Sequence, residues 1–181
     1  RIKRGFIYRA SFQPYTLPDQ ETIRQFKLVI DYRLDDESLL QRNAFRKLNG
    51  TKMIRLPFWA YPTRREAAEH WHTERPEIFA EIIRKCPQEI RQTFSLLSDE
   101  DNYPVLYFCS YGIHRATIIS AILYLALGVS EETILDATGL RLMLKTVFRE
   151  INKSGGITGY LKRIGVSNKE ITAFQKIMLE H

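Results

Sequence analysis

Cysteine is scarce in this chain: its 181 residues include only Cys86 and Cys109. Two thiols cannot make the multi-bridge framework of a small secreted scaffold. The fold must therefore rest on an apolar core, which a chain of this length can bury. No apolar stretch is long enough to span a bilayer; the best candidate, over residues 116–127, is too short. Internal repeats, low-complexity tracts and long linkers are absent. So are a Walker-type glycine loop and any alternation of basic and aromatic residues, which leaves no nucleic-acid module to expect. Metal-ligand clusters are missing too. His70 and His72, with Glu69 and Glu74, have the wrong spacing for paired ligands on a helix and read as a solvated face. Neither a metal nor a cofactor is expected. Acid is in deficit, with 21 Asp and Glu against 27 Lys and Arg and a net charge of +6. A positive field of that kind suits an anionic substrate and allows peripheral contact with acidic membranes. The basic residues are scattered, with small clusters at Arg1, Lys3 and Arg4 and at Arg64 and Arg65. The first residue is Arg, which leaves a removed leader, or delivery into a host cell, open.

What is present is an alternation of short apolar runs and helix-forming stretches. Strands are expected over 6–9, 27–31, 52–56 and 104–108. Helices are expected over 18–25, 64–72 or beyond, 76–85, 87–97, 115–127, 130–143 or further, and 168–180. Pro18, Pro76 and Pro87 stand where first-turn prolines are tolerated, and Ser167 with Glu170 forms a capping-box pattern. Strands separated by helices imply an α/β fold, a mostly parallel central sheet flanked by helices with a C-terminal helical part. The whole chain, 1–181, is expected to be one domain. Functional loops of such a sheet lie at the carboxyl ends of its strands.

One segment stands out at such an end: Cys109-Ser110-Tyr111-Gly112-Ile113-His114-Arg115, set between an apolar strand run and a long apolar helix. A strand, a loop and a helix in that order aim backbone N–H groups, and the positive end of the helix dipole, at an anion. Gly112 permits a sharp turn. N–H donors, a helix terminus and a neighbouring arginine are the surroundings in which a cysteine acts as a thiolate. Arg115 is placed to hold two oxygens of a tetrahedral oxyanion in bidentate fashion. Cys109 and Arg115 are thus the expected catalytic pair, and Ser110, Tyr111, Gly112, Ile113, His114 and Arg115 the expected phosphate-binding residues. Cys86 reads as a buried thiol or as a redox partner of Cys109.

On this Cys-x5-Arg segment the sequence resembles the cysteine-dependent protein tyrosine phosphatase superfamily. Over most of its length it is similar to the atypical branch of tyrosine and phosphoinositide (triple-specificity) phosphatases. The resemblance is carried further by Gly5 to Ser11, Leu17-Pro18-Asp19, Val29-Ile30-Asp31-Tyr32-Arg33, Ile54 to Phe58 and the stretch from Gly156 to Ile171. It implies a phosphatase-like fold and a phosphomonoester hydrolase that forms a phosphocysteine intermediate. Phosphotyrosine proteins or phosphoinositides would be its substrates, and the cytoplasm, a reducing compartment, its location.

Four positions depart from the family pattern. Phe108 replaces the usual His before the Cys. Ala116 replaces the Ser or Thr after the Arg that helps phosphocysteine break down. Ile113-His114 replaces the Lys-Asp of close relatives. These changes bear on catalytic rate more than on phosphate binding, so a phosphatase fold that binds phosphorylated ligands with weak turnover is the alternative. A rhodanese-like or arsenate-reducing thiol enzyme is a third reading. The loop after the third strand, 57–66, holds no Asp to act as proton donor. His114, Asp31, Asp35, Asp36 and Glu66 are the candidates, with His114 and Asp31 the possible general acids. Asp31 has a structural reading as well, as the ion-pair partner of Arg33. Phe58, Trp59, Tyr61 and Trp71 form an aromatic group that either walls a deep pocket or caps the core.

Overall fold

A computed structural model of the chain describes residues 1–13, 19–34, 46–48, 50–61 and 76–180. Five strands, β1 (Ile7–Ser11), β2 (Leu28–Asp31), β3 (Arg46–Leu48), β4 (Thr51–Arg55) and β5 (Val105–Cys109), form one sheet in the order β1-β5-β2-β4-β3. The first four in that order run parallel, and β3 is antiparallel to β4 at the edge. The described helices are α1 (Gln20–Arg24), α2 (Glu77–Lys85), α3 (Pro87–Leu97), α4 (His114–Ala126), α5 (Glu131–Asp136), α6 (Arg141–Asn152), α7 (Ile157–Arg163) and α8 (Asn168–Met178), with a 3-10 turn at Glu100–Asn102. The α/β class and the largely parallel sheet therefore agree with the expectation.

Central position explains the composition of β5. It is bonded on one side to β1 and on the other to β2, and all five of its residues are buried. A strand covered on both faces reads as a continuous apolar run rather than an alternation. Its side chains still point to opposite faces in turn. Val105, Tyr107 and Cys109 join the main core with the helices that follow, while Leu106 and Phe108 join a smaller cluster with Ile23, Val29 and Met53. Helix α4 is apolar on almost every side, which suits a helix enclosed in the main core. Each of Ile118, Ile119 and Ile122 is at most 1% exposed. Burial of each such side chain contributes roughly 1.5–3 kcal/mol.

Some boundaries differ from expectation. Cys109 is the last residue of β5, not the first of the loop. The helix expected from 130 to 143 is two helices. α5 ends at Asp136, Gly139 lies in the bend, and Arg141 at the start of α6 turns back to pair with Glu132 and Asp136. A glycine, with its low helix propensity, is a natural place for that break. Strand β3 and helix α7 carry no pattern that set them apart in the sequence. The capping box is present as expected: Glu170 N–H donates to Ser167 Oγ at 3.2 Å and Ser167 N–H to Glu170 at 2.8 Å. The helix expected over 64–72 and the histidines 70 and 72 lie outside the described residues, as do Asp35, Asp36, Glu66 and Trp71.

The ends of the chain are zipped together. Ile2 forms a bridge with Leu179, Lys3 N–H donates to the Met178 carbonyl at 2.7 Å, and Glu180 N–H donates to the Arg1 carbonyl at 2.8 Å. The lead-in to β1 thus rests on the end of α8.

A buried ion pair fixes the carboxyl end of β2. Asp31 and Arg33 have no exposed side-chain surface. Arg33 Nε donates to Oδ1 at 3.0 Å and Nη2 to Oδ2 at 2.9 Å, and the Arg33 N–H adds a bond to Oδ1 at 2.9 Å. Arg33 Nη1 donates to the Gln13 carbonyl at 2.8 Å, and the guanidinium lies 5.1 Å from the Phe108 ring centre. Removing one member strands the other charge in the interior. Asp31→Ala is therefore expected to lower the unfolding free energy by about 3–5 kcal/mol in a denaturant titration. A loss below about 1 kcal/mol, the range of an exposed pair, would contradict this structural role.

Candidate active site

The neighbours of β5 grip its carboxyl end. Ser11 of β1 stands beside Cys109 in register, and Phe12 N–H donates to the Cys109 carbonyl at 3.1 Å. On the other side Tyr32 N–H donates to the Phe108 carbonyl at 3.0 Å. Cys109 is 2% exposed and packs at the edge of the main core. The chain then turns through Ser110, which is buried, Tyr111 and Ile113, which are exposed, and enters α4 at His114. Gly112 makes the turn with φ +66°. A β-carbon there would come within 3.1 Å of the Ala10 carbonyl oxygen and of Ser11 Cβ. Both the left-handed backbone and the nearness of β1 thus demand glycine. Ile113, the N-cap of α4, offers no side-chain acceptor to the first turn of the helix. First-turn N–H groups have no partner within their own helix and carry the positive end of the dipole. The positive end of the α4 dipole thus faces the turn with no side-chain cap.

Arg115 closes the loop. It is the second residue of α4 and only 7% exposed. Its Nη2 donates to Ser110 Oγ at 3.2 Å and its Nη1 to the Tyr32 carbonyl at 3.3 Å. The guanidinium lies 5.6 Å from the Trp59 ring centre, a cation–π contact. Trp59 belongs to the segment after β4, and α2 anchors that segment. The Cys86 thiol donates to the Trp59 carbonyl at 3.2 Å, and Lys85 Nζ to the Ala60 carbonyl at 3.4 Å. Burial pushes the Cys86 thiol up to about 12, so it stands as a protonated hydrogen-bond donor.

His114 is half-buried, edge-on to Phe79 at 5.8 Å between ring centres. Burial, and then the charge of Arg115, lower its pKa to about 4, so the imidazole is neutral at neutral pH. In that state it accepts a proton more readily than it donates one. Asp31, the other candidate general acid, has both carboxylate oxygens bonded to Arg33. Asp35, Asp36 and Glu66 belong to the residues not described.

The structure thus brings together Cys109, Ser110, Gly112, His114 and Arg115 in one strand-to-helix turn. Tyr111 and Ile113 stand on its exposed rim. Two partners of Arg115 had no signal in the sequence. The Tyr32 carbonyl is a backbone group, which composition does not mark. Trp59 belongs to the noted aromatic group, but nothing in the sequence ties its ring to the arginine. Phe108 also has a role that its contrast with His did not suggest. Its ring is edge-on to Phe12 at 4.8 Å and under Arg33, on the sheet face opposite Cys109. In place of the missing hydroxyl after the arginine stands Ala116, fully buried. The hydroxyl of Thr117 accepts instead from Arg9 Nη1 at 3.2 Å.

A family model described as the tyrosine phosphatase family matches residues 1–137. The match contains the whole sheet and the Cys109–Arg115 turn and ends just beyond α5. No curated protein matches the chain.

The lowered pKa of His114 has a measurable consequence. Between about 6.5 and about 4 the unfolded chain holds more protons at this position than the folded one. His114 therefore makes stability fall as the pH drops through that window. His114→Asn is expected to show a shallower loss of melting temperature from pH 6.5 to 4 than the parent. Parallel curves for the two proteins would show that His114 titrates as a solvated imidazole.

Proposed function

The chain belongs to the tyrosine phosphatase family, and on that premise we propose that it hydrolyses phosphomonoesters through a phosphocysteine intermediate. The observation that carries this reading is Arg115 folded back onto Ser110 at the mouth of a turn that starts from Cys109. In the first step the Cys109 thiolate attacks phosphorus. The P–S bond forms as the P–O bond to the leaving group breaks. Arg115 and the N–H groups of residues 110–114 hold the equatorial oxygens, where charge builds up in the transition state. In the second step water attacks the phosphocysteine, the P–S bond breaks and inorganic phosphate leaves. The His114 imidazole, unprotonated at neutral pH, is the base we assign to the proton of that water. The leaving oxygen departs as phenolate or takes a proton from solvent, which favours aryl over alkyl esters. Asp31 serves by positioning: it holds Arg33 and, through the strand end, the Tyr32 carbonyl on which Arg115 rests.

Phosphotyrosine in proteins is the substrate class we favour. The exposed rim of the turn is Tyr111 and Ile113, an aromatic and an apolar side chain suited to a phenyl ring and its peptide. The lysine expected of a phosphoinositide grip is absent at 113, so inositol lipids rank second, as does membership of the triple-specificity branch. The reading takes the chain as one phosphatase domain working in the reducing cytoplasm, where Cys109 stays a thiol.

Ala116 favours a second reading, in which ligand binding outlasts turnover. With Ala116 in place of a hydroxyl residue after the arginine, and the Thr117 hydroxyl engaged by Arg9, breakdown of phosphocysteine lacks its usual assistance.

Two experiments separate these readings. Cys109→Ser is expected to reduce hydrolysis of an aryl phosphate to background while inorganic phosphate or vanadate still binds. Turnover at the parent rate would refute the phosphocysteine route. Rapid-mixing kinetics of the parent protein should show a burst of phenol near one equivalent per site, then a slow steady phase. Ala116→Ser should speed the slow phase several-fold and leave the burst rate unchanged. Slow kinetics without a burst would place the delay in the first step, not in phosphocysteine breakdown.

A further inference from the structure

Behind the phosphate turn, between the chain's N-terminal lead-in and helix α4, lies a cleft of about 610 Å³. Its volume falls in the range of small-molecule sites. Leu123, Leu127, Ile134 and Phe174 give it an apolar interior. Lys3, Arg4 and Arg9 line it as well, and no carboxylate does. Among the described residues none of these three cations is ion-paired. Arg4 and Arg9 are exposed, and Arg9 spends only Nη1, on Thr117 Oγ1 at 3.2 Å and Ser120 Oγ at 3.4 Å. The carboxylates of the adjacent helix α5 are engaged elsewhere, Glu132 and Asp136 by Arg141 and Glu131 by Asn152. Thr138 also lines the cleft, and its hydroxyl is buried with no hydrogen-bond partner. A buried hydroxyl left in that state calls for a partner.

We propose that this cleft binds an alkyl chain bearing an anionic head group. The head would sit among Lys3, Arg4 and Arg9 and the chain against the apolar interior. Cations without a carboxylate partner, one of them (Lys3) resting over the Phe6 ring at 5.4 Å, beside an apolar hollow fit such a molecule on both counts. A neutral amphiphile would leave the cations idle, and a small inorganic anion would leave the hollow empty. Concavity favours a single molecule lifted from solution or from a bilayer over docking of a flat surface. This proposal does not depend on the phosphatase reading, because it uses none of the groups in the phosphate turn.

The test is calorimetric titration of the whole chain with dodecanoate below its micelle concentration, with vanadate present to fill the phosphate turn. One-site saturable binding is expected. Arg9→Gln should weaken it by roughly tenfold or more, the worth of a charge-assisted hydrogen bond. Dodecanol and dodecyltrimethylammonium, matched in chain length, should bind at least roughly tenfold more weakly to the unmodified protein, a comparison that needs no variant. Vesicles of phosphatidylcholine with phosphatidylserine identify the source. Retention of the protein on them, reversed by dodecanoate, means that the head group is taken from a bilayer, and no retention means a free amphiphile. Absence of saturable dodecanoate binding, equal binding of the three amphiphiles, or loss of dodecanoate binding on adding vanadate would each overturn the proposal.

Discussion

The candidate site depends on one reach-back, from Arg115 on the first turn of α4 to Ser110 at the start of the loop. A loop of this kind converges its amides only if its two ends are held together, and here a guanidinium does so. That guanidinium is itself held at two further points, the Tyr32 carbonyl and the Trp59 ring. Each point traces to a separate part of the core. Tyr32 is fixed by the Asp31–Arg33 pair at the end of β2, and Trp59 by the Cys86 thiol at the end of α2. The arginine is thereby held in one orientation by the fold itself.

The sheet supplies the rest by geometry. A central parallel strand ends where its neighbours can grip its last residues from both sides, and Cys109 is such a residue. Because β5 alternates faces, Cys109 belongs to the larger core while Phe108 belongs to the smaller one. A residue beside the cysteine in sequence is thus on the far side of the sheet in space, where it stacks on Arg33. The aromatic at 108 supports the ion pair that positions the site rather than facing the site itself. The helices beyond the matched region also reach inward. Tyr160 of α7 donates to the Ile83 carbonyl at 3.1 Å, and Phe174 of α8 meets Phe94 edge-on at 5.5 Å.

The α/β class, the four parallel strands and the turn carrying Cys109 were legible because each leaves a local mark: an apolar run, a breaker, a spacing. The Asp31–Arg33 pairing was legible as one of two alternatives, since residues two apart at a strand end can meet. The break at Gly139 was not, because the apolar and polar residues on either side continue a helical pattern, and only the reach of Arg141 to Glu132 and Asp136 fixes the bend. The contacts of Arg115 were hidden for a different reason. They join segments far apart in the chain through a carbonyl and a ring face, neither of which has a periodicity. The neutrality of His114 was equally hidden, since it comes from burial against Phe79 and from the next residue's charge acting at close range.

The zipped ends have a consequence for biosynthesis. Of the five strands a ribosome delivers β1 before the others, yet β1 finds its partner only when residues 105–109 have been made, and its lead-in only when Met178 and Leu179 have followed. The wall against which Gly112 rests is therefore made before the other strands of the sheet and is the last of them to be secured. A nascent chain stalled short of α8 would carry the cysteine and the arginine but lack the fastening that completes the pocket's wall.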